Sequence, residues 1–164
     1  MTIATRTRII LIQHVLEVSQ RSNTGRHAAA ALGSVELRVF GSQDVPLRAD
    51  DLSGAWLLWP GEPAPAPMEP RPGTIVALDG SWSQARRMMQ RVPQLRGLRR
   101  WSLPAPPGRQ SLRQAPPGGM STLEAIAEAL AVLEGEGVAV ALREVHEALV
   151  QKQLAERGYV GKPF

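Results

Sequence analysis

Three apolar runs of strand length constrain the fold of this chain more than any other feature. Arg8 to Gln13 (RIILIQ), Ala55 to Trp59 (AWLLW) and Thr74 to Leu78 (TIVAL) are almost uninterrupted by polar residues. A strand with one wet face would alternate, so runs like these belong to strands covered on both sides by helices. Val35 to Phe40 does alternate, with Val35, Leu37 and Val39 on one face, and Leu98 to Leu103 is a more polar fifth candidate. Helical patterns lie between them: Thr24 to Leu32, Trp82 to Arg91 with Pro93 beyond its end, Leu123 to Leu133, and a long one from about Val140 to Glu156. Strands interleaved with helices predict a single α/β domain with a mainly parallel sheet and helices on both faces.

Two helix starts carry capping boxes, Ser81 with Gln84 and Ser121 with Glu124, in which a hydroxyl and a returning side chain satisfy the first amides. Leu123, Ile126, Ala127 and Leu130, then Leu142, Val145, Leu149 and Leu154, recur at helical spacing and are predicted core. Two long loops, Glu62 to Gly73 and Pro104 to Gly119, interrupt the regular elements, and loops of that length in a small domain often carry function.

Composition narrows the function classes. The chain has 164 residues, enough for one core, and no apolar run near the roughly 20 residues of a membrane helix. Met1 to Arg8 leads into a short apolar stretch with no small-residue cleavage site, so the expected location is cytoplasmic. No cysteine is present, which excludes thiolate catalysis and Cys-ligated metal, and only three His remain as imidazole ligands; no metal is expected. Charge is the informative quantity. Residues 80 to 119 hold eight Arg and no acid, whereas the segments on either side carry a slight excess of acid. Such a stretch creates a positive potential suited to phosphate oxygens if its side chains share a face. An Arg-rich composition throughout is the plainer reading, but it leaves the missing acids unexplained.

No Walker A sequence exists, and the lone G-x-G at Gly135 to Gly137 lacks the third glycine and follows a helix rather than a strand, which argues against a Rossmann dinucleotide site. The segment TIVALDGSWSQARRM is the most telling. It sets Asp79 at the carboxyl end of a buried strand and Trp82 in the first turn of the next helix, beside the crevice where open α/β sheets bind ligands. The structural alternatives are that Asp79 only accepts amides of its own turn and that Trp82 only packs. His14 and Glu17 form a polar pair at the end of the first strand, structural or functional.

The order of these segments resembles the DTW-domain family, which includes transfer-RNA uridine aminocarboxypropyltransferases. The matching stretches are His14 and Glu17 with Asn23-Thr24, Trp59-Pro60-Gly61-Glu62, Asp79-Gly80-Ser81-Trp82, Leu112-Arg113 and Ser121-Thr122-Leu123-Glu124-Ala125. Together they span roughly residues 6 to 155. Ser81 replaces the usual Thr of the motif, as in the related ribosomal-RNA enzymes, and Val15 stands where the family tends to have Pro. Without cysteine, the chain has no counterpart of the cysteine-rich N-terminal segment of many members.

The resemblance implies a SPOUT-like sheet with a trefoil knot in the C-terminal half, threaded by the loop before Ser121. It also implies S-adenosylmethionine as cofactor and transfer of its 3-amino-3-carboxypropyl group to a uridine of RNA, transfer RNA foremost. Asp79 and Trp82 become the catalytic candidates, and Trp59, Pro60, Gly61, Ser81, Leu103, Ser121, Thr122 and Glu124 the cofactor-binding ones. Removing the uridine imide proton would cost a normal carboxylate about 7 kcal/mol, so Asp79 is expected to orient rather than to abstract, with a base role left open. Arg86, Arg87, Arg109 and Arg113 are the expected RNA contacts. Methyl transfer to RNA and a non-catalytic RNA-binding protein are the rivals, and a monomer is the working expectation.

Overall fold

A computed structural model describes residues 3–17, 24–33, 35–60, 71–103 and 122–156, and within the helices the side chains of 24–26 and 153–154 lie outside that description. Five strands form one sheet, all parallel, in the order β2-β1-β4-β3-β5: β1 is Arg8–His14, β2 Val35–Phe40, β3 Trp56–Leu58, β4 Thr74–Asp79 and β5 Arg99–Trp101. The three apolar runs and both weaker candidates are therefore strands.

The helices cover both faces, as those runs require. Ile9 and Leu11 of β1 with Ile75 and Ala77 of β4 face a core completed by α1 (Thr24–Ala31) and α4 (Thr122–Glu134), with Leu142 of α5 (Glu136–Glu156). The alternate residues Ile10, Ile12 and Val76 face a second core under α2 (Trp82–Arg91) and α3 (Pro93–Arg96), to which Leu52 and Ala55 also belong. Six residues of β1, Ile9 to His14, are buried, so a single substitution such as Ile10→Ala would leave a cavity and cost about 2–5 kcal/mol.

Three features depart from the sequence reading. β2 is an edge strand in which the apolar Leu37 is 45% exposed and Arg38 is buried instead. Arg38 tolerates burial because Asp51 accepts from both of its terminal nitrogens at 2.7 Å, while Glu36 and the Arg48 carbonyl accept at 2.9 and 2.8 Å. Arg8 reaches the same two carboxylates, at 2.7 and 3.2 Å. Pro93 ends α2 but also opens the short α3, because a missing amide costs nothing in a first helical turn. The last helix begins at Glu136 rather than near Val140; Gly135, at φ +103, makes the reversal between α4 and α5 that a side chain would strain. The segment that would thread a knot, 104–121, lies outside the described residues. No helix among the described residues is long and apolar enough to cross a membrane.

Candidate functional site

The connections of the sheet locate a crevice. β1 is followed by α1 on one face and leads outward to β2; β4 is followed by α2 on the opposite face and leads past β3 to β5. β1 and β4 are neighbours, so the chain leaves their carboxyl ends in opposite directions. That is a topological switch point, where parallel sheets leave room for a ligand.

Gln13 and Asp79 face each other across it in register. Gln13 Nε2 donates to Asp79 Oδ2 at 2.9 Å, and Thr122 Oγ1 at the start of α4 donates to Asp79 Oδ1 at 2.8 Å. Asp79 is 4% exposed and Gln13 3%. Both carboxylate oxygens are thus held by named donors, and the negative charge sits at the amino end of α4, where the helix dipole favours it. Asp79 ties three elements together at the rim.

The turn after Asp79 is built for closeness. A side chain on Gly80 would meet Gln84 Oε1 at 2.8 Å and Gln84 Cβ at 3.2 Å, so it would push the Gln84 side chain out of place. The Gln84 amide is there because the predicted capping box forms: Ser81 Oγ accepts from the Gln84 amide at 3.2 Å and the Ser81 amide donates to Gln84 Oε1 at 2.7 Å. Trp82 then emerges half-buried, its ring edge-on to Trp59 with centroids 6.4 Å apart. Trp59 is anchored at both backbone ends, its amide donating to the Trp101 carbonyl at 3.1 Å and its carbonyl accepting from Ser102 Oγ at 2.6 Å. Arg100 lies over the Trp59 ring, 5.7 Å from its centroid.

His14 closes the β1 side. It is buried, its ring tilted against Phe40, and Nδ1 accepts from the Leu16 amide at 3.1 Å, which leaves the proton of the neutral ring on Nε2. Burial holds its pKa below the ordinary histidine value, with Arg87 pushing the same way and Glu17 opposing. Glu17 is buried in the single 3-10 turn Val15–Glu17 that follows.

The expected site residues do not all converge. His14, Asp79, Ser81, Trp82, Trp59 and Thr122 gather at the carboxyl rim, with Pro60 half-buried beside Trp59. Leu103 packs against the α4-side core while Trp59 packs against the α2-side core, so the two approach the rim from opposite faces. Glu124 turns to the helix pair, its Oε1 3.8 Å from Nε2 of the buried His146 on α5. Arg86 and Arg87 are exposed on the outer face of α2. Gly61, Asn23, Ser121, Arg109 and Arg113 lie outside the described residues, as does the side chain of Thr24.

Sequence reasoning missed Gln13, although a lone polar residue closing an otherwise apolar strand was a usable signal. It missed Arg99 and Arg100 as well. It also missed Trp101, 2% exposed, whose indole N–H meets no acceptor among the described residues. Among those residues no cluster of three or more His, Asp or Glu is placed to hold a metal ion.

The DTW domain matches residues 1–154 of the sequence. The chain belongs to the DTW-domain family. No curated protein and no solved structure matches it. Membership fits an enzyme that modifies transfer RNA, and this DTW chain places its Asp-Gly-Ser-Trp motif at the switch point.

Proposed function

We propose that the protein transfers the 3-amino-3-carboxypropyl group of S-adenosylmethionine to a uridine of RNA, with transfer RNA as the substrate class. The observation that carries the reading is the doubly bonded Asp79 at the switch point, walled by Trp59 and Trp82 and backed by family membership. The residues present suit the cofactor. A sulfonium cation is attracted by a fixed carboxylate and by indole faces, and the buried Trp101 N–H is a donor in need of an acceptor two strands from Asp79. Trp59, Pro60, Leu103 and Thr122 would line its adenosine side, with Gly61, Ser121 and Glu124 in the same motifs.

Bound S-adenosylmethionine would supply an electrophilic carbon to the uridine imide nitrogen, the new C–N bond replacing the C–S bond, with methylthioadenosine as leaving group and the imide proton going to solvent. Asp79 orients in this scheme. Its two oxygens accept from Gln13 and Thr122, which fixes the carboxylate in place as an orienting group requires. Trp82 shapes the wall that decides which of the three sulfonium carbons faces the acceptor. Arg86 and Arg87, with Arg109 and Arg113, would take the RNA phosphates. The protein would work in the cytoplasm and without a metal.

The test is nucleoside mass spectrometry of bulk transfer RNA from cells with and without the gene. Loss of aminocarboxypropyl-uridine supports the reading. Loss of a methylated nucleoside instead would identify an RNA methyltransferase, and an unchanged nucleoside profile would favour a non-catalytic RNA-binding protein.

A further inference from the structure

At the β2 side of the sheet and on the α4–α5 pair, arginine is matched with acid. Arg8, Arg38 and Arg48 share Glu36, Asp50 and Asp51 at the β2 side of the sheet, and Arg143 meets Glu128 and Glu136 at 2.8 and 2.6 Å. The arginines between 86 and 100 behave differently. Arg86, Arg87, Arg91, Arg96, Arg99 and Arg100 are all exposed, and none forms an ion pair among the described residues. Arg96 has another task, donating to the carbonyls of Met89 and Gln90 at the end of α2. A genome-wide preference for arginine would put unpaired side chains on both edges of the sheet. Among the described residues, the arginines at the β2 edge are neutralised and those at the β5 edge are not.

The two arginines of β5 are held rather than loose. Arg99 stacks over Trp56 with 4.2 Å from guanidinium carbon to ring centroid, and Arg100 lies over Trp59 at 5.7 Å. Consecutive strand residues point to opposite faces, so the pair straddles the edge. A guanidinium lying on an indole keeps its N–H fork free at the perimeter, and that fork matches phosphate oxygens. Arg100 also extends the row of contacts Trp82–Trp59–Arg100, which begins at the Asp79 turn and ends at the sheet edge.

The geometry points to the β5 edge, through Arg99 and Arg100, as a phosphate-binding surface that grips the RNA strand leading into the Asp79 crevice. This rests on RNA being the substrate and adds the surface that presents it. A fixed positive pair beside half-buried aromatic rings is the pairing of features by which unpaired RNA is held, backbone on cations and bases on rings.

The competing explanation is that charge merely shields an exposed sheet edge from self-pairing. Binding of unfractionated transfer RNA to the whole protein, titrated across salt concentrations, separates the two. In Arg99→Gln/Arg100→Gln, two lost contacts should flatten the plot of log affinity against log salt by roughly 1.4 to 1.8, which at 0.1 M salt is roughly a 25- to 60-fold weaker complex. Each single variant should show about half of that change, which serves if the double variant does not fold. The Arg99→Lys/Arg100→Lys protein should keep the slope, because the charges remain. S-adenosylmethionine affinity, measured by calorimetry, should be unaltered in all of them. An unchanged slope in the Gln variants overturns the proposal, with self-association showing edge shielding and lost S-adenosylmethionine affinity showing a cofactor role for Arg100. Wild-type protein that binds no RNA overturns it too. Failure of the transfer reading would show differently, as RNA binding with the expected slope but no methylthioadenosine formed.

Discussion

Gln13→Leu is the sharpest test of how the crevice is built. The substitution keeps the bulk of a buried side chain and removes one donor, the Nε2 that lies 2.9 Å from Asp79 Oδ2. With Gln13 3% and Asp79 4% exposed, water has little access to replace it. A hydrogen bond to a charged group contributes about 1.5–3 kcal/mol, which is the loss expected when a buried carboxylate gives up one donor. For a chain of this size, roughly 2–4 °C of melting temperature accompanies each kcal/mol, so the midpoint should fall by about 3–12 °C. Thr122→Val removes the other donor, but from a half-buried position, and should cost less. Thermal and urea unfolding followed by circular dichroism give both values. A Gln13→Leu protein within about 0.5 kcal/mol of wild type, the range of an inert surface change, would show that the Gln13–Asp79 bond does not organise the switch point.

Other expectations follow from the same contacts. Asp79→Asn keeps shape and loses charge, and product formation should drop at least ~100-fold, the scale for one positioned polar group; near-normal turnover would reduce Asp79 to a structural tie. The His14 imidazole, its pKa lowered by burial, should be neutral at neutral pH with the proton on Nε2, as nitrogen-resolved NMR reports directly. Stability should fall as pH drops below the unfolded histidine value of about 6.5, because the unfolded chain then binds the proton first, and Arg87→Ala should move the His14 midpoint upward; an unmoved midpoint contradicts the placement. Arg38 holds the Asp51 carboxyl well below the usual carboxylate range, and for Glu36 the bonds from Arg38 and Arg8 outweigh a burial effect in the other direction. Their contribution is complete above the unfolded carboxylate value of about 4 and is lost as pH falls through the folded one, so the stability gap between wild type and Arg38→Gln should narrow from pH 7 to about 2.5; an equal gap at both would refute it.

How much was legible in the sequence differs between fold and site. Strands buried on both faces announce themselves, since RIILIQ, AWLLW and TIVAL have no wet side, and the Ser81–Gln84 box marked the start of α2 to the residue. The alternation in β2 misled, because which face of an edge strand is covered depends on what packs over it; here the 48–51 segment brings Asp51 and the Arg48 carbonyl to Arg38, 13 and 10 residues distant along the chain. The motif residues Asp79 and Trp82 stood out by their place at a strand end. Their partners did not. Gln13 lies 66 residues from Asp79, and only the β1–β4 register brings them opposite. The arginine excess was visible as a count, but its meaning depended on which arginines find acids, and that is decided by strand order: Arg38 sits on β2 near Asp51, Arg99 and Arg100 on the far edge.

The central claim is a claim about which bond of the sulfonium breaks. Purified protein, transfer RNA and S-adenosylmethionine labelled in the carboxyl carbon should yield labelled RNA and methylthioadenosine in equal amounts, with the label recovered on uridine after digestion. Release of S-adenosylhomocysteine with unlabelled, methylated RNA would contradict the account, and so would RNA that remains unmodified while S-adenosylmethionine is intact.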